Sequence, residues 1–314
     1  MITIQTIIKH DTPDMTDFFR SVSPISPQII AINIGANKEC IDLCETNKAE
    51  IYRPHNQDNL GNIRNEAMSK GRHEYQMFMH PWETILQGCD QLKSLNKRAY
   101  NIPILYDSIM SKETRIWKAN IGIKFVNPVC EHLNEKASEY LHCVLSSTNE
   151  YDVTERLHQI RTWKQQQINS PDPYYYLALG YLTLGDYPNF LKTSTHYMHI
   201  NNSKSMSSTM NKYYFALVNT YVTKLFKPAL QNITQCLEIN PLMAEFWCLA
   251  GDAQYYLLKK YDKARHLYDN AIILGSQRKQ DDAWPMDISK YQEYPEKMIK
   301  SCDDIVNNKS YFVK

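Results

Sequence analysis

The sequence pattern changes near residue 150, and this change limits what the 314-residue chain can fold into. Upstream, short β-branched runs alternate with segments of helical character. These runs are ITIQTII (2–8), QIIAINIG (28–35), AEIYRP (49–54) and HEYQMFM (73–79). Downstream, strand signals fade and a helical period dominates. We therefore predict an α/β domain over 1–150 and an all-helical domain over 151–314.

The predicted α/β domain has its helices between the strands, at 12–22, 38–46 and 59–71. Such alternation favours a mostly parallel sheet covered on both faces. The later part has mixed signals. ETILQGCDQLKSL (83–95) is typical of a helix, and three short strands are predicted at 101–109, 114–119 and 121–129. These strands would complete a mixed sheet.

The carboxyl ends of parallel strands share one edge of a sheet, where ligands of such folds bind. This rule places residues 9–11, 35–37 and 80–83 on a common rim. The last of these sets belongs to MFMHPWE (77–83), which follows a strand yet lacks aspartate.

The predicted helical domain contains an internal repeat, at about 171–204, 210–243 and 244–275. Each repeat resembles the two-helix tetratricopeptide unit. The small residues Ala229, Ala264 and Ala271 would let paired helices approach closely, and aromatic residues would fill the space between pairs. The aromatic stripes are therefore predicted to be core. One more helix, within 281–306, is expected to cap the array or fold back.

Composition excludes several classes of protein. Lys and Arg total 35 against 34 Asp and Glu, so no large field indicates binding to nucleic acid or a membrane surface, although a local patch could still exist. No C-x-x-C pair occurs among the eight cysteines, which argues against a zinc ribbon. No apolar run is long enough to span a membrane, and no signal peptide is evident. We expect a soluble cytoplasmic protein with free thiols.

The order of these segments resembles the inverting family 2 glycosyltransferases of the GT-A fold, in the bacterial branch with C-terminal tetratricopeptide repeats. In that family the first strand ends in a V-K-N-E turn, where this chain has IKHD (8–11). The second ends in V-D-T-G-S-T-D, where it has INIGAN (32–37). The A-R-N of the following helix is similar to IRN (63–65), and a later H-E pair is similar to Cys130-Glu131. The resemblance covers nearly the whole chain through the order and spacing of its segments.

The family's fourth strand ends in D-A-D-E, whose acidic residues hold a divalent metal against the donor diphosphate. This motif is degenerate here, because His80 and Trp82 stand in place of the two aspartates and only Glu83 keeps a carboxylate. The resemblance leaves a weak Mn²⁺ or Mg²⁺ site from His80 and Glu83 as one expectation. The alternative is a hydrogen-bonded His80 beside a Trp82 used for packing or stacking.

The resemblance also implies residues that contact a nucleotide-sugar. They are Lys9, His10, Asp11, Asn33, Gly35, Arg64 and Trp82. Glu131 matches the general base that deprotonates the acceptor hydroxyl. Two alternatives stay open: Arg64 could form a surface ion pair with Glu66, and Glu131 could be a solvated residue in the first turn of a helix.

Two functions compete. The first is an inverting glycosyltransferase that moves a sugar from a UDP- or GDP-sugar donor to a peptide, protein or other acceptor, with the repeats as acceptor-binding groove. It would use a metal, or cationic residues such as Lys9 and Arg64 in its place. The alternative is a degenerate glycosyltransferase fold that serves as a scaffold and binds a protein partner through its repeats.

Overall fold

The computed structural model describes residues 1–55, 59–129, 132–135, 137, 139–147, 153–167, 170–201, 203–279, 282 and 284–311. The chain divides into two compact units, Met1–Tyr151 and Asp152–Lys314. No helix in the described part of the chain combines the length and apolarity needed to cross a membrane.

Unit 1 is a mixed sheet with helices. Its described strands are β1 (Ile2–Ile8), β2 (Gln28–Asn33), β3 (Glu50–Tyr52), β4 (Tyr75–Phe78), β5 (Glu83–Gln87), β6 (Ala99–Tyr106), β7 (Ile109–Lys118), β8 (Phe125–Val126), β9 (His132–Leu133), β10 (Glu139–Tyr140) and β11 (Val144–Ser147). Its helices are α1 (Thr16–Val22), α2 (Lys38–Thr46) and α3 (Leu60–Met68).

The strand order in the main sheet is β3-β2-β1-β4-β7-β6-β11-β5. The first four strands are mutually parallel, as predicted, and β7 runs antiparallel to β4. A small separate hairpin pairs β8 with β9. The predicted α/β class is confirmed as a mixed sheet with helices.

Alternation along β2 shows how both faces of the sheet are covered. Ile29 and Ala31 pack in the cluster that also holds residues of α1 and α2. Ile30 and Ile32 point the other way, into the cluster of α3 residues. Because side chains alternate between faces along a strand, a run of consecutive apolar residues requires cover on both sides.

The helix predicted over 83–95 is wrong. Glu83–Gln87 is strand β5, which pairs antiparallel with β11, and Cys89–Lys93 forms only a short 3₁₀ helix. Gly88 separates the two with φ 75°, and a Cβ there would meet the His142 carbonyl oxygen at 2.3 Å. A strand partner distant in sequence thus overrides the local helical pattern.

Unit 2 is helical. Its helices are α4 (Val153–Gln166), α5 (Asp172–Thr183), α6 (Tyr187–Ile200), α7 (Met206–Tyr221), α8 (Phe226–Ile239), α9 (Ala244–Asp252), α10 (Tyr261–Gly275) and α11 (Glu293–Tyr311). A π-helical segment, Ala253–Leu257, extends α9. Three helix pairs, α5–α6, α7–α8 and α9–α10, correspond to the predicted repeats and confirm a helical-repeat unit. Helix α7 begins at Met206, before the predicted start of its repeat at residue 210. The further helix predicted within 281–306 is present as α11, which begins at Glu293 and ends beyond that segment, at Tyr311.

The predicted core of the repeats is present. Ala229, Ala264 and Ala271 are fully buried. Large aromatic residues are buried between the helices, namely Phe190, Tyr197, Phe246 and Tyr268. The small residues allow the close helix approach that the aromatics then fill.

Asp252 is a buried acid that ties four helices of unit 2 together. Its carboxylate accepts hydrogen bonds from the hydroxyls of Tyr268 and Tyr294, both at 2.7 Å, and from Tyr221. Burial raises the pKa of Asp252, and the three hydroxyl donors oppose that shift. A satisfied network of this kind fixes the relative positions of its members.

We predict that Gly251→Ala destabilises the protein. The added Cβ would lie 2.6 Å from Cε1 of Tyr268, whose ring cannot retreat because its hydroxyl is bound to Asp252. The free energy of unfolding should fall by about 1–3 kcal/mol in urea denaturation.

The comparison variant is Gly180→Ala, also within a helix, where the new Cβ meets Cδ2 and Cγ of buried Leu157 at 2.4 and 2.9 Å. It should cost less stability than Gly251→Ala, since an aliphatic side chain without a hydrogen bond can change rotamer and alanine favours the helix. An equal decrease in the free energy of unfolding in both variants would contradict the role given to Tyr268.

Candidate functional site

The rim of unit 1 is where the sequence predicts a ligand site. The register pairs Ile8 with Asn33 and Gln5 with Phe78, so the carboxyl ends of β1, β2 and β4 lie side by side. Just beyond β1, Lys9 forms an ion pair with Asp11 at 3.2 Å. Exposed His10 lies between them in sequence. These three predicted contact residues thus follow the central strand of the parallel set.

Asn33 at the end of β2 builds the next turn. Its side-chain oxygen accepts hydrogen bonds from the backbone N–H groups of Gly35 and Ala36, both at 2.9 Å. Gly35 has φ 114°, a conformation that favours glycine. Asn33 and Gly35 therefore shape the backbone of the rim, and their contact with a nucleotide-sugar stays a prediction.

Arg64 lies inside the unit beneath the rim. It is 5% exposed, and its guanidinium carbon is 3.3 Å from the ring centroid of Phe78 and 5.0 Å from that of Phe125. Glu66, the ion-pair partner considered from the sequence, instead contacts Tyr52 and His55. Arg64 is thus held by cation–π contacts with two aromatic faces.

The aromatic residues of MFMHPWE form a column. The His80 and Trp82 rings stack with centroids 4.8 Å apart and an interplanar angle of 8°. His80 also meets the ring of Phe78 edge-on at 4.9 Å. Both His80 and Trp82 are partly exposed, so this column reaches the surface of unit 1. Its packing agrees with the stacking alternative drawn from the sequence.

Glu83 is the remaining carboxylate of the motif, and it is fully buried. One oxygen accepts a hydrogen bond from Nη2 of Arg115 at 3.0 Å, and the other accepts from the backbone N–H of His80 at 2.7 Å. Arg115 is 6% exposed and also donates to Glu113 at 2.9 Å. Burial raises the pKa of the Glu83 carboxyl, whereas the positive charge of Arg115 acts to lower it.

These contacts do not fit a divalent cation held by Glu83, because both carboxylate oxygens already accept hydrogen bonds inside the unit. Among the residues that the structure describes, no group of three or more His, Cys, Asp or Glu side chains is arranged to hold a metal ion. Ligation of Mn²⁺ or Mg²⁺ by His80 and Glu83 stays a prediction. It would require Glu83 to leave its Arg115 partner.

The predicted general base, Glu131, lies outside the described residues, as does Cys130. The next residue, His132, is exposed and pairs with Val126 in the β8–β9 hairpin. The structure therefore assigns no surroundings to the catalytic candidate.

Two important residues of the rim were not among the predicted site residues: Arg115 and Phe78. Arg115 lies on β7 next to the buried residues Ile116 and Trp117. A cation next to buried apolar residues requires a carboxylate partner, and this was the available signal. Phe78 gave no signal beyond its place in a buried strand.

Unit 2 offers a different surface. Aromatic residues that are neither fully buried nor fully exposed recur on the first helices of the pairs. They are Tyr175 and Tyr176 on α5, Tyr213, Tyr214 and Phe215 on α7, and Trp247 on α9. Several touch one another, as in Tyr175–Tyr176 at 5.3 Å and Tyr213–Tyr214 at 5.5 Å. Most of these rings also pack against the core clusters of the unit, which holds them in place. Their accessible parts leave restrained aromatic area at the surface, and aromatic residues are enriched in protein interfaces.

Comparison with known proteins gives no matching family model and no match among curated proteins. Solved structures do match parts of the chain. A MamA fragment from Desulfovibrio magneticus RS-1 is 20% identical with a TM-score of 0.40, covering 51% of this chain and 82% of that one. The first TPR of Spaghetti (RPAP3), bound to the HSP90 peptide SRMEEVD, is 12% identical with a TM-score of 0.35. The match covers 44% of this chain and 93% of that one.

The Sgt2 TPR domain from Aspergillus fumigatus is 10% identical with a TM-score of 0.36, covering 46% of this chain and 83% of that one. Likenesses of this size do not show a family. None of the comparisons supports the resemblance to family 2 glycosyltransferases, which stays a prediction.

We predict that Arg115→Met leaves a buried carboxylate without its ion pair. The free energy of unfolding at pH 8 should fall by about 3–5 kcal/mol. Without Arg115 the pKa of Glu83 rises further, so the folded state retains a proton that the unfolded state has lost. The stability of the variant should therefore decrease as the pH rises from about 5 to 8.

Urea denaturation at several pH values measures this effect, with Arg20→Met as control. The Arg20 side chain is 74% exposed and pairs only with the equally exposed Asp17 among the described contacts. Loss of Arg20 should cost less than about 1 kcal/mol. A pH-independent loss in Arg115→Met would contradict the assigned interaction with Glu83.

Proposed function

We propose that this chain is a protein-binding scaffold whose helical-repeat unit takes up a peptide segment of a partner. The observation that carries the proposal is the set of half-buried aromatic residues on the first helices α5, α7 and α9. Aromatic residues supply large contact area at a small entropic cost, and they dominate the energy of many interfaces.

The geometry of the rim supports the same conclusion. The only carboxylate of MFMHPWE is buried in an ion pair with Arg115, and the histidine and tryptophan beside it pack against each other. These contacts stabilise unit 1 without requiring any ligand. A degenerate glycosyltransferase-like unit attached to binding repeats is consistent with both features.

Selection of a displayed random peptide library on the whole chain tests the proposal. We expect enriched peptides whose affinity falls about 30-fold or more in Tyr176→Ala or Phe215→Ala, since interface hot spots contribute about 2 kcal/mol or more. Affinities are measured by fluorescence anisotropy on variants whose circular dichroism matches that of the unmodified protein.

Ile273→Ala is the control, because Ile273 is 58% exposed on α10, the second helix of its pair. It should change the affinity less than about twofold, as expected of a side chain outside the interface. Peptides that bind all three variants equally would exclude the first helices as the binding surface.

Metal-independent binding and transfer of a nucleotide-sugar is a second candidate, and one observation favours it. Arg64 and Arg115 both approach the Phe78 ring, with guanidinium carbons 3.3 and 5.6 Å from its centroid, and Arg115 also pairs with Glu83 and Glu113. Positioned cations can stabilise the charge that develops on a leaving diphosphate. The column of His80 and Trp82 adjoins them and could stack on a base.

A panel of UDP- and GDP-sugars tests this candidate through thermal denaturation. Binding at 100 times the dissociation constant should stabilise the fold by about 2.7 kcal/mol, with the shift unchanged by EDTA. Trp82→Ala should abolish the shift, whereas Trp247→Ala on α9 should not. The absence of a shift with every donor at millimolar concentration, or a shift that depends on Mn²⁺, would argue against the candidate.

A further inference from the structure

The turns within the three helix pairs of unit 2 share one backbone feature. Each has a residue with positive φ two positions before its second helix begins. These residues are Gly185 (φ 70°), Lys224 (φ 57°) and Lys259 (φ 53°). The second helices follow at Tyr187, Phe226 and Tyr261.

The two lysines are unusual at these positions. Glycine adopts positive φ without steric cost, and the first pair uses it, whereas a long side chain there is disfavoured. The turns are nevertheless well formed, because Leu225 N–H donates to Asn219 O at 2.8 Å and Lys260 N–H to Gln254 O at 3.0 Å. Two adjacent repeats thus present a lysine where the backbone alone would favour glycine.

More lysines surround these turns. The exposed cations are Lys224, Lys227, Lys259, Lys260 and Lys263. Within the described part of the chain, none of these five forms an ion pair with an acidic side chain. One exposed acid, Asp262, lies among these lysines. Further along, Asp269 and Asp303 both form ion pairs with Arg265, at 2.8 Å. In a chain with a net charge of +1, this is a local concentration of positive charge.

Apolar side chains are exposed among the lysines. They are Tyr221 at 37%, Val222 at 41%, Leu225 at 52% and Tyr256 at 39% exposure. The Tyr221 and Tyr256 rings lie 6.1 Å apart, one from each repeat, so the two turns are neighbours. Because the Tyr221 hydroxyl donates to buried Asp252, the position of that ring is fixed.

A cavity adjoins the second turn. Its volume is about 430 Å³, and it is lined by Lys259, Lys260, Tyr261, Asp262, Lys263 and Val306. It is large enough for a side chain, and three of its six lining residues are lysines. We call the surface formed by residues 221–227 and 256–263 the turn edge.

We propose that the turn edge binds an acidic peptide segment of another protein, one that carries apolar or aromatic residues between its carboxylates. Charge complementarity selects the acidic groups, since the lysines are exposed and without acidic partners among the described residues. The exposed aliphatic residues Val222 and Leu225 favour a peptide over a nucleic acid, because bases stack on aromatic rings and gain little from aliphatic side chains. An extended segment of about six residues spans roughly 20 Å, enough to reach from one turn to the next.

This surface is separate from the half-buried aromatics of the first helices, and the inference does not rest on the function proposed above. Either surface could bind a partner if the other did not. Variants of the two surfaces therefore distinguish the two proposals.

The test uses a displayed octapeptide library selected in parallel on the full chain and on its K224G/K259G/K260Q variant. Glycine keeps the positive φ of the two turns while removing the side chain, so this variant should fold. The full chain is expected to enrich peptides with several acidic residues and at least one apolar residue. Peptides that are enriched on the full chain but not on the variant report on the turn edge. Their affinity, measured by fluorescence anisotropy, should fall at least tenfold in the variant and should decrease steeply with added salt.

The matched control is K192A/K297A/K300A, which removes three exposed lysines from α6 and α11. The affinity of this control for the selected peptide should stay within twofold of that of the unmodified chain. The same is expected of Tyr176→Ala. A photo-crosslinking residue at Leu225 should capture the peptide, and one at Ile273 should not.

Several results would overturn the proposal. The first is enrichment without an acidic bias, or equal enrichment on both proteins. The second is an equal loss of affinity in the control variant, which would indicate a general effect of charge. The third is tighter binding of a single-stranded RNA 12-mer than of any selected peptide, which would assign the turn edge to nucleic acid.

Discussion

The buried ion pair of Glu83 and Arg115 determines what the rim of unit 1 can do. Their contact, at 3.0 Å, links the start of β5 to β7, and the second oxygen of Glu83 holds the His80 N–H. Removing either partner would leave a charge in an apolar interior, which is costly. The pair therefore commits the last carboxylate of MFMHPWE to the interior of the unit, and the neighbouring chemistry depends on cations and aromatic rings.

The rim is consequently rich in stacked groups. Arg64 lies over Phe78, and His80 packs between Phe78 and Trp82. Such a column suits recognition of a flat or anionic group better than coordination of a hard cation, which prefers oxygen ligands. For unit 1, these contacts therefore suit the metal-independent candidate better than a metal-dependent one.

Unit 2 combines a rigid interior with a varied surface. Asp252 joins tyrosines from three helices, and fully buried alanines let the helix pairs approach closely. Because these contacts hold the helices in place, the aromatics of the first helices and the lysines of the turn edge are presented in fixed positions. Preorganised surfaces of this kind lose little entropy on binding.

Some features of this fold follow from local sequence patterns, and others depend on contacts between segments far apart in the chain. Strand β1, helix α2 and the three helix pairs could be predicted from local patterns, because periodicity and small residues are local signals. Contacts between distant segments establish that Glu83–Gln87 forms a strand, that Arg64 is buried over Phe78, and that Glu83 pairs with Arg115. These outcomes depend on partners far along the chain, 32 residues apart for Glu83 and Arg115, and local patterns carry no information about such pairings.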